Sequence, residues 1–163
     1  MLDKIIPHFG LERLSEDMRQ RLTLAWHHLD AWPDVNGGLA RLGRRFLLAP
    51  VSNGNIALMV DIATRNRWRW DAVLGADIAH DYKPNRSVYL AAAEALSLKP
   101  AECMMVAAHD NDLTNGGASG AGLKTAFIAR PDEHGKGHGA EKLTGPVDVI
   151  ANSLPELADK LGA

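Results

Sequence analysis

The chain has 163 residues, 46% of them apolar and 23% charged, and a formal net charge of −2. That length allows one domain with a real core, and the near-neutral balance excludes a general attraction to nucleic acid or to an anionic membrane surface. The single cysteine, Cys103, excludes an internal disulfide and a multi-cysteine zinc site, and it fits a reducing cytoplasm.

The opening MLDKIIPHFGLERLSED has neither an apolar h-region nor a small-residue cleavage site, and no long apolar run follows, so no signal peptide or membrane span is expected. Ser15 is placed to cap a helix carrying Leu22, Trp26 and Leu29 at helical spacing and ended by Ala31, Trp32 and Pro33. A short helix is expected over 38–44. The apolar run 45–51 then reads as a buried strand, with Ser52, Asn53, Gly54 and Asn55 as its turn. The pattern continues with a helix over 56–66, a strand over 71–76, an alanine-rich helix over 84–96 and a buried strand over 103–108. A helix over 112–121, strands over 123–128 and 147–150, and a closing helix over 153–161 complete it. Such alternation implies an α/β fold with a parallel sheet covered by helices on both faces. The polar, glycine-rich stretch 132–145 reads as a surface loop with His134 and His138 solvated, because no ligand cluster accompanies them. The pair His27 and His28 has no assigned function.

Ligands of an open parallel sheet bind at the carboxyl ends of its strands, and three polar blocks fall there. Ser52 and Asn53 follow one strand, Lys83 stands before a helix, and His109, Asp110 and Asp112 follow the strand containing Cys103. Alone, each has an ordinary reading as a turn, a solvated lysine or a helix cap. Their common edge is what argues for a site. The glycines at 116, 117, 120 and 122 come too late after the strand, and at the wrong spacing, for a dinucleotide-binding loop. They are expected to permit close packing of the helix or to end it at Gly122.

The segments APVSNGN, DYKPNRSVY and MMVAAHDNDL, with WPDV at 32–35, resemble the haloacid dehalogenase superfamily, and within it the (S)-2-haloacid dehalogenases, over about Leu11 to Pro131. The resemblance implies a Rossmann-like parallel sheet with flanking helices: residues 1–35 as the remnant of a helical cap, and 36–163 as a core lacking the family's first, nucleophile-bearing strand. It implies catalytic roles for Ser52, Asn53, Lys83 and Asp112, and contacts to substrate from Ser52, Asn53, Tyr89 and His109. By that resemblance an aspartate displaces halide from C2 of a 2-haloacid and the aspartyl ester is hydrolysed, with no cofactor and no metal. Lys83 would hold carboxylates ionised, Ser52 and Asn53 would donate hydrogen bonds to substrate or departing halide, and Asp112 would orient Lys83 or a water. Phosphatases of the superfamily carry an acid at the position of Ala108 that helps to hold Mg²⁺, and Asp110 is displaced from it.

Asp3, between Leu2 and Lys4, does not read as a strand-end nucleophile. The chain alone is therefore expected to be inactive. The strands ending near Val51 and Ala108 are expected either to close on each other or to receive another chain, a second copy included, because the absent strand would leave two inner edges unpaired. The partner implied is a small 2-haloacid, with no nucleic acid and no membrane. Two alternatives stand beside this reading: a phosphatase fragment of the same superfamily, and a non-catalytic remnant that binds a partner.

Overall fold

The computed structural model describes residues 2–114 and 116–163. In chain order the elements are α1 (Leu2–Ile5), α2 (Glu16–Leu24), α3 (Val35–Leu42), β1 (Val51–Ser52), α4 (Ile56–Asn66), β2 (Leu74–Gly75) and α5 (Ala76–Ala79). There follow α6 (Arg86–Ala95), β3 (Met104–Ala107), α7 (Asp110–Leu113), β4 (Lys124–Ile128), β5 (Val149–Ala151) and α8 (Leu154–Lys160). Among the described residues no helix is long and apolar enough to cross a membrane.

Helices begin where the sequence supplies an acceptor for their first free N–H groups. Ser15 accepts from the Met18 amide at 3.3 Å, Asn55 from Leu58 at 2.8 Å and Ser153 from Glu156 at 3.3 Å. The expected helix 112–121, of which residue 115 lies outside the described residues, is corrected: regular helix stops at Leu113, and residues 116–122 form turns, with Gly122 at a φ of 86°. Glycines at 116, 117 and 120 remove side-chain packing and raise the entropy cost of a helix there.

All the ladders are parallel, in two sheets of order β1-β2 and β3-β4-β5. β4 is buried on both faces from Thr125 to Ile128, whereas Val106 of β3 and Ile150 of β5 are exposed. One side packs Ala126, Ile128 and Ala151 against Leu42 of α3 and Leu157 of α8; the other packs Met105 and Phe127 against Tyr89 of α6 and Leu113 of α7. Fully burying a side chain such as Leu157 contributes about 1.5–3 kcal/mol. α3 and α8 lie close enough that a β-carbon on Gly38 would sit 2.2 Å from that of Leu154. Arg41 ties the same pair together, reaching Asp159 at 2.7 Å and the Ala163 carbonyl at 2.5 Å.

The expected strands 45–51 and 71–76 contract to two residues each, although the chain still runs alongside itself through Leu48 and Asp71 (amide to carbonyl, 2.8 Å). Pro50 lacks an N–H, and β1 has a ladder partner on one side alone, so little holds a longer strand. The expectation that the inner edges could close on each other is also corrected. β1 and β3 do not pair, and a cavity of 840 Å³ lies between them. Helical packing on its two faces holds the edges apart: α6 on one side, α3 and α8 on the other.

The first expected helix ends at Leu24, followed by a 3-10 turn over Ala25–His28, and its apolar stripe is not core. Leu22 is 43% and Trp26 65% exposed, since this segment meets the rest of the chain mainly through α4. His27 Nδ1 lies 2.6 Å from Asp61, Arg65 donates to Asp30 at 2.7 Å, and Asn66 binds the backbone of Leu29 and Ala31. Asp3 stands in α1, not in a strand.

Candidate active site

The carboxyl ends of β1 and β3 open on one cleft of 640 Å³, lined by Ser52, Asn53, Lys83, His109, Asp110, Asn111, Asp112 and Glu141. The three blocks expected from sequence thus meet at a single edge, which parallel topology dictates. Their roles differ from one another more than the sequence shows.

Lys83 and Asp112 form the centre. Lys83 Nζ donates to Asp112 Oδ2 at 2.8 Å, with the two side chains 15% and 12% exposed. The other carboxylate oxygen accepts from the Tyr89 hydroxyl at 3.1 Å. Tyr89 is fully buried in α6, and burial, then the charge and hydrogen bond of Asp112, push its hydroxyl well above the ordinary tyrosine range. It stays protonated and acts as a fixed donor. α7 presents Asp112 from beneath, and Gly117 makes this possible: a β-carbon there would stand 2.7 Å from the Asp112 carbonyl oxygen. The expectation of close packing at the glycines holds at that position.

Asn53 works on the backbone of Lys83. Its Nδ2 donates to the Lys83 carbonyl at 3.1 Å and its Oδ1 accepts from the Lys83 amide at 2.7 Å. This two-point clasp fixes the loop from which Lys83 projects. Asp81 holds the same loop from the other side, accepting from Tyr82, Asn85 and Ser87, and those hydrogen bonds keep its carboxyl below the usual range. Ser52 accepts from the Gly54 amide at 2.9 Å, which orients its hydroxyl at the strand end.

His109 lines the cleft, but its Nε2 lies 2.9 Å from Glu133. Asp110 is inward and structural. One oxygen accepts from Thr114 Oγ1 and the Thr144 amide, both at 2.8 Å, and the other from Thr144 Oγ1 at 2.6 Å. The Thr144 bonds, then Thr114, outweigh desolvation and lower its pKa. Glu141 accepts from the Asp110 amide at 3.0 Å. The loop 132–145 is exposed as expected, yet Glu133, Glu141 and Thr144 strap it across the end of β3. Sequence reasoning missed Glu133, Glu141 and Asn111. A signal for the first two existed: the loop leaves β4 at its carboxyl end, the same edge as the other blocks.

The two aspartates of the cleft are not free to hold Mg²⁺. A hard cation wants several free oxygens, whereas both oxygens of Asp110 are taken by threonines and Asp112 is taken by Lys83 and Tyr89. Among the described residues no group of three or more acids, histidines or cysteines could hold a metal, His134 and His138 included.

The WPDV segment also finds its place here. Asp34 takes both guanidinium nitrogens of Arg130, at 2.8 and 3.0 Å, and accepts from the Leu154 amide at 2.9 Å, while Arg130 lies 5.3 Å over the Trp32 ring. The motif fastens the first third of the chain to the end of β4 and the start of α8.

A parallel α/β core with its polar cleft at the strand ends defines a Rossmann-like class of fold, and comparison with known proteins narrows it. The family model described as haloacid dehalogenase-like hydrolase matches residues 3–120. The chain belongs to that family. It is 33% identical over 132 residues to (S)-2-haloacid dehalogenase 1 of a Pseudomonas species (strain CBS-3), covering 79% of this chain and 57% of that protein. The chain therefore spans little more than half the length of that curated relative. Its fold superposes on crystal structures of an L-2-haloacid dehalogenase (43% identity, TM-score 0.91, 98% of this chain and 70% of the other) and of a defluorinating L-2-haloacid dehalogenase (38%, 0.91, 99% and 66%).

Proposed function

We propose that this chain carries the substrate-holding and charge-stabilising part of a hydrolase that removes halide from 2-haloacids. The observation that supports this most is the convergence of Lys83, Asp112 and Ser52 on one cleft, with Tyr89 buried beneath it and bonded to Asp112. In this reading Lys83 uses its remaining donors to hold a carboxylate at the cleft, and Ser52 donates its hydroxyl to the substrate carboxylate or the departing halide. Asp112 and Tyr89 fix Lys83 from below, and Asn53 fixes it through the backbone, as a positioning residue. His109 borders the substrate. Residues 1–35 belong to a helical cap, in keeping with exposed apolar side chains such as Phe9 and Trp26, and 36–163 to the core. The cytoplasm is the proposed location.

The chemistry is a substitution followed by ester hydrolysis. A carboxylate oxygen attacks C2, the carbon–halogen bond breaks with its electron pair leaving as halide, and water then cleaves the ester to a 2-hydroxyacid. The aspartates at the cleft are already committed, Asp112 to Lys83 and Tyr89 and Asp110 to two threonines, and Glu141 accepts from the Asp110 amide. The 163-residue chain alone is accordingly read as catalytically silent. The phosphatase reading is disfavoured because both aspartates of the cleft are engaged, Asp110 by threonines and Asp112 by Lys83 and Tyr89.

Calorimetry with 2-chloropropionate and a halide-release assay test this together. Expected are weak binding lost in Ser52→Ala and Lys83→Ala and no halide above blank. Binding unchanged in both variants would remove the assigned site, halide release by this chain would remove the claim of silence, and Mg²⁺-dependent phosphate release would reinstate the phosphatase.

A further inference from the structure

The lining of the cleft holds three carboxylates, Asp110, Asp112 and Glu141, against one lysine. Their surroundings differ. Asp112 is balanced by Lys83 and Asp110 is closed in by Thr114 and Thr144, whereas Glu141 is exposed and is paired with no cation among the described residues. One of its oxygens accepts from the Asp110 amide at 3.0 Å; the other has no donor among the described residues. Its place is nevertheless fixed. Ala140 on one side and Leu143 on the other pack against the buried cluster of Tyr89, Leu113 and Phe127, and Thr144 is bound to Asp110. Those anchors need no charge at residue 141, and a neutral acceptor would serve the Asp110 amide as well. A carboxylate held at that point therefore asks for a role in the cleft itself.

We propose that Glu141 is a charge filter: its carboxylate weakens the binding of each ligand in proportion to the negative charge that the ligand carries, so the cleft takes small acids of one charge and rejects those of two. The inference rests on the reading of this cleft as a carboxylate-binding site and adds the residue that sets its selectivity. Lys83 attracts a first carboxylate through its remaining donors, but its charge is already shared with Asp112, so a second carboxylate meets Glu141 with no cation left to offset it. Coulomb energy is linear in ligand charge. Because Glu141 is exposed, water screens it: a unit charge about 8 Å away at an effective dielectric of about 50 changes affinity by roughly 4-fold. The same field acts twice on a dianion, for roughly the square of that factor, and leaves a neutral ligand untouched. A merely structural strap has no such dependence on ligand charge.

The test compares the full 163-residue chain with Glu141→Gln, which keeps an acceptor for the Asp110 amide and removes only the charge. Affinities for 2-chloropropionamide, 2-chloropropionate and 2-chlorosuccinate, which are neutral, singly and doubly negative near neutral pH, are read by NMR titration at low and at high salt. The parent is expected to bind the monoacid more tightly than the diacid. In the variant the amide binds as before, the monoacid gains roughly 4-fold and the diacid ~16-fold, and both gains shrink in high salt. The filter alone is overturned if all three affinities shift by one common factor, as a structural strap requires, if none shifts while 2-chloropropionate still binds, or if the parent prefers the diacid. Failure of parent and variant to bind any of the three removes the carboxylate-binding reading, and the filter with it.

Discussion

Lys83 Nζ lies 2.8 Å from Asp112 Oδ2, and the two side chains are 15% and 12% exposed. Removing one member of such a pair leaves the other charge in a poor solvent. The two losses are unequal. Lys83→Met strands a carboxylate fixed on a short helix and is expected to cost about 3 kcal/mol. Asp112→Asn keeps an acceptor for Tyr89 and lets the long lysine turn to water, for about 1 kcal/mol. Urea unfolding of both variants checks the order; equal losses would mean that the pair is not insulated from solvent.

Tyr89 links this centre to alkaline stability. Its folded pKa is raised while the unfolded chain titrates near the ordinary value of 10.0, so above that pH the unfolded state releases a proton that the folded state keeps. Stability is complete below pH 10 and falls as pH rises beyond it. Tyr89→Phe loses roughly 1.5–3 kcal/mol at neutral pH with the hydrogen bond to a charged acceptor, but its melting temperature declines less between pH 9.5 and 11.

Asp34 sets the acid limb. Burial pulls its carboxyl upward, but the Arg130 and Leu154 hydrogen bonds and the Arg130 charge together hold it below the ordinary 3.8. A depressed carboxyl adds stability above its unfolded pKa that disappears as pH falls through the folded one. Melting between pH 5 and 2.5 should therefore fall less steeply in Asp34→Asn than in the parent. The variant is already less stable at pH 7, because Arg130 has lost its charged partner.

Two glycine substitutions should act in opposite directions. A β-carbon on Gly75, at a φ of 127°, would stand 2.2 Å from the Ser52 carbonyl oxygen and 2.6 Å from its nitrogen. Gly75→Ala must push β1 and β2 apart and displace Ser52, with a loss above about 3 kcal/mol or failure to fold. Gly37 lies within α3 with nothing inside 4 Å of a new methyl group, so Gly37→Ala gains about 0.5–1 kcal/mol. Chemical denaturation of the pair reads both signs.

Local information carries the elements that depend on it. The helix expected over 56–66 appears with those bounds because its Asn55 cap and its apolar spacing both lie in the segment itself. Strand extent does not: 45–51 is as apolar as a central strand, yet a strand is only as long as its ladder, and β1 pairs on one side. The site divides in the same way. Lys83 and Asp112 are legible because strand ends in a parallel sheet share an edge. The clasp of Asn53 on the Lys83 backbone depends on loop geometry that residue types do not encode. Asp34 and Arg130 meet across 96 residues, and nothing in either neighbourhood announces the other.

The packing of α3 on α8 sets an order of events during synthesis. Arg41 is made early, but Asp159, which it holds, arrives 118 residues later, and the Leu154 amide bound by Asp34 comes 120 residues after that aspartate. Until α8 emerges, α3 has only the sheet residues Ala126, Ile128 and Ala151 to close on, and the side of Leu42 that meets Leu157 remains wet. Contacts of such long range form slowly, and they leave apolar surface open in the meantime. The nascent chain is thus most prone to aggregate just before α8 emerges, and α8 acts as the closing clasp of the fold.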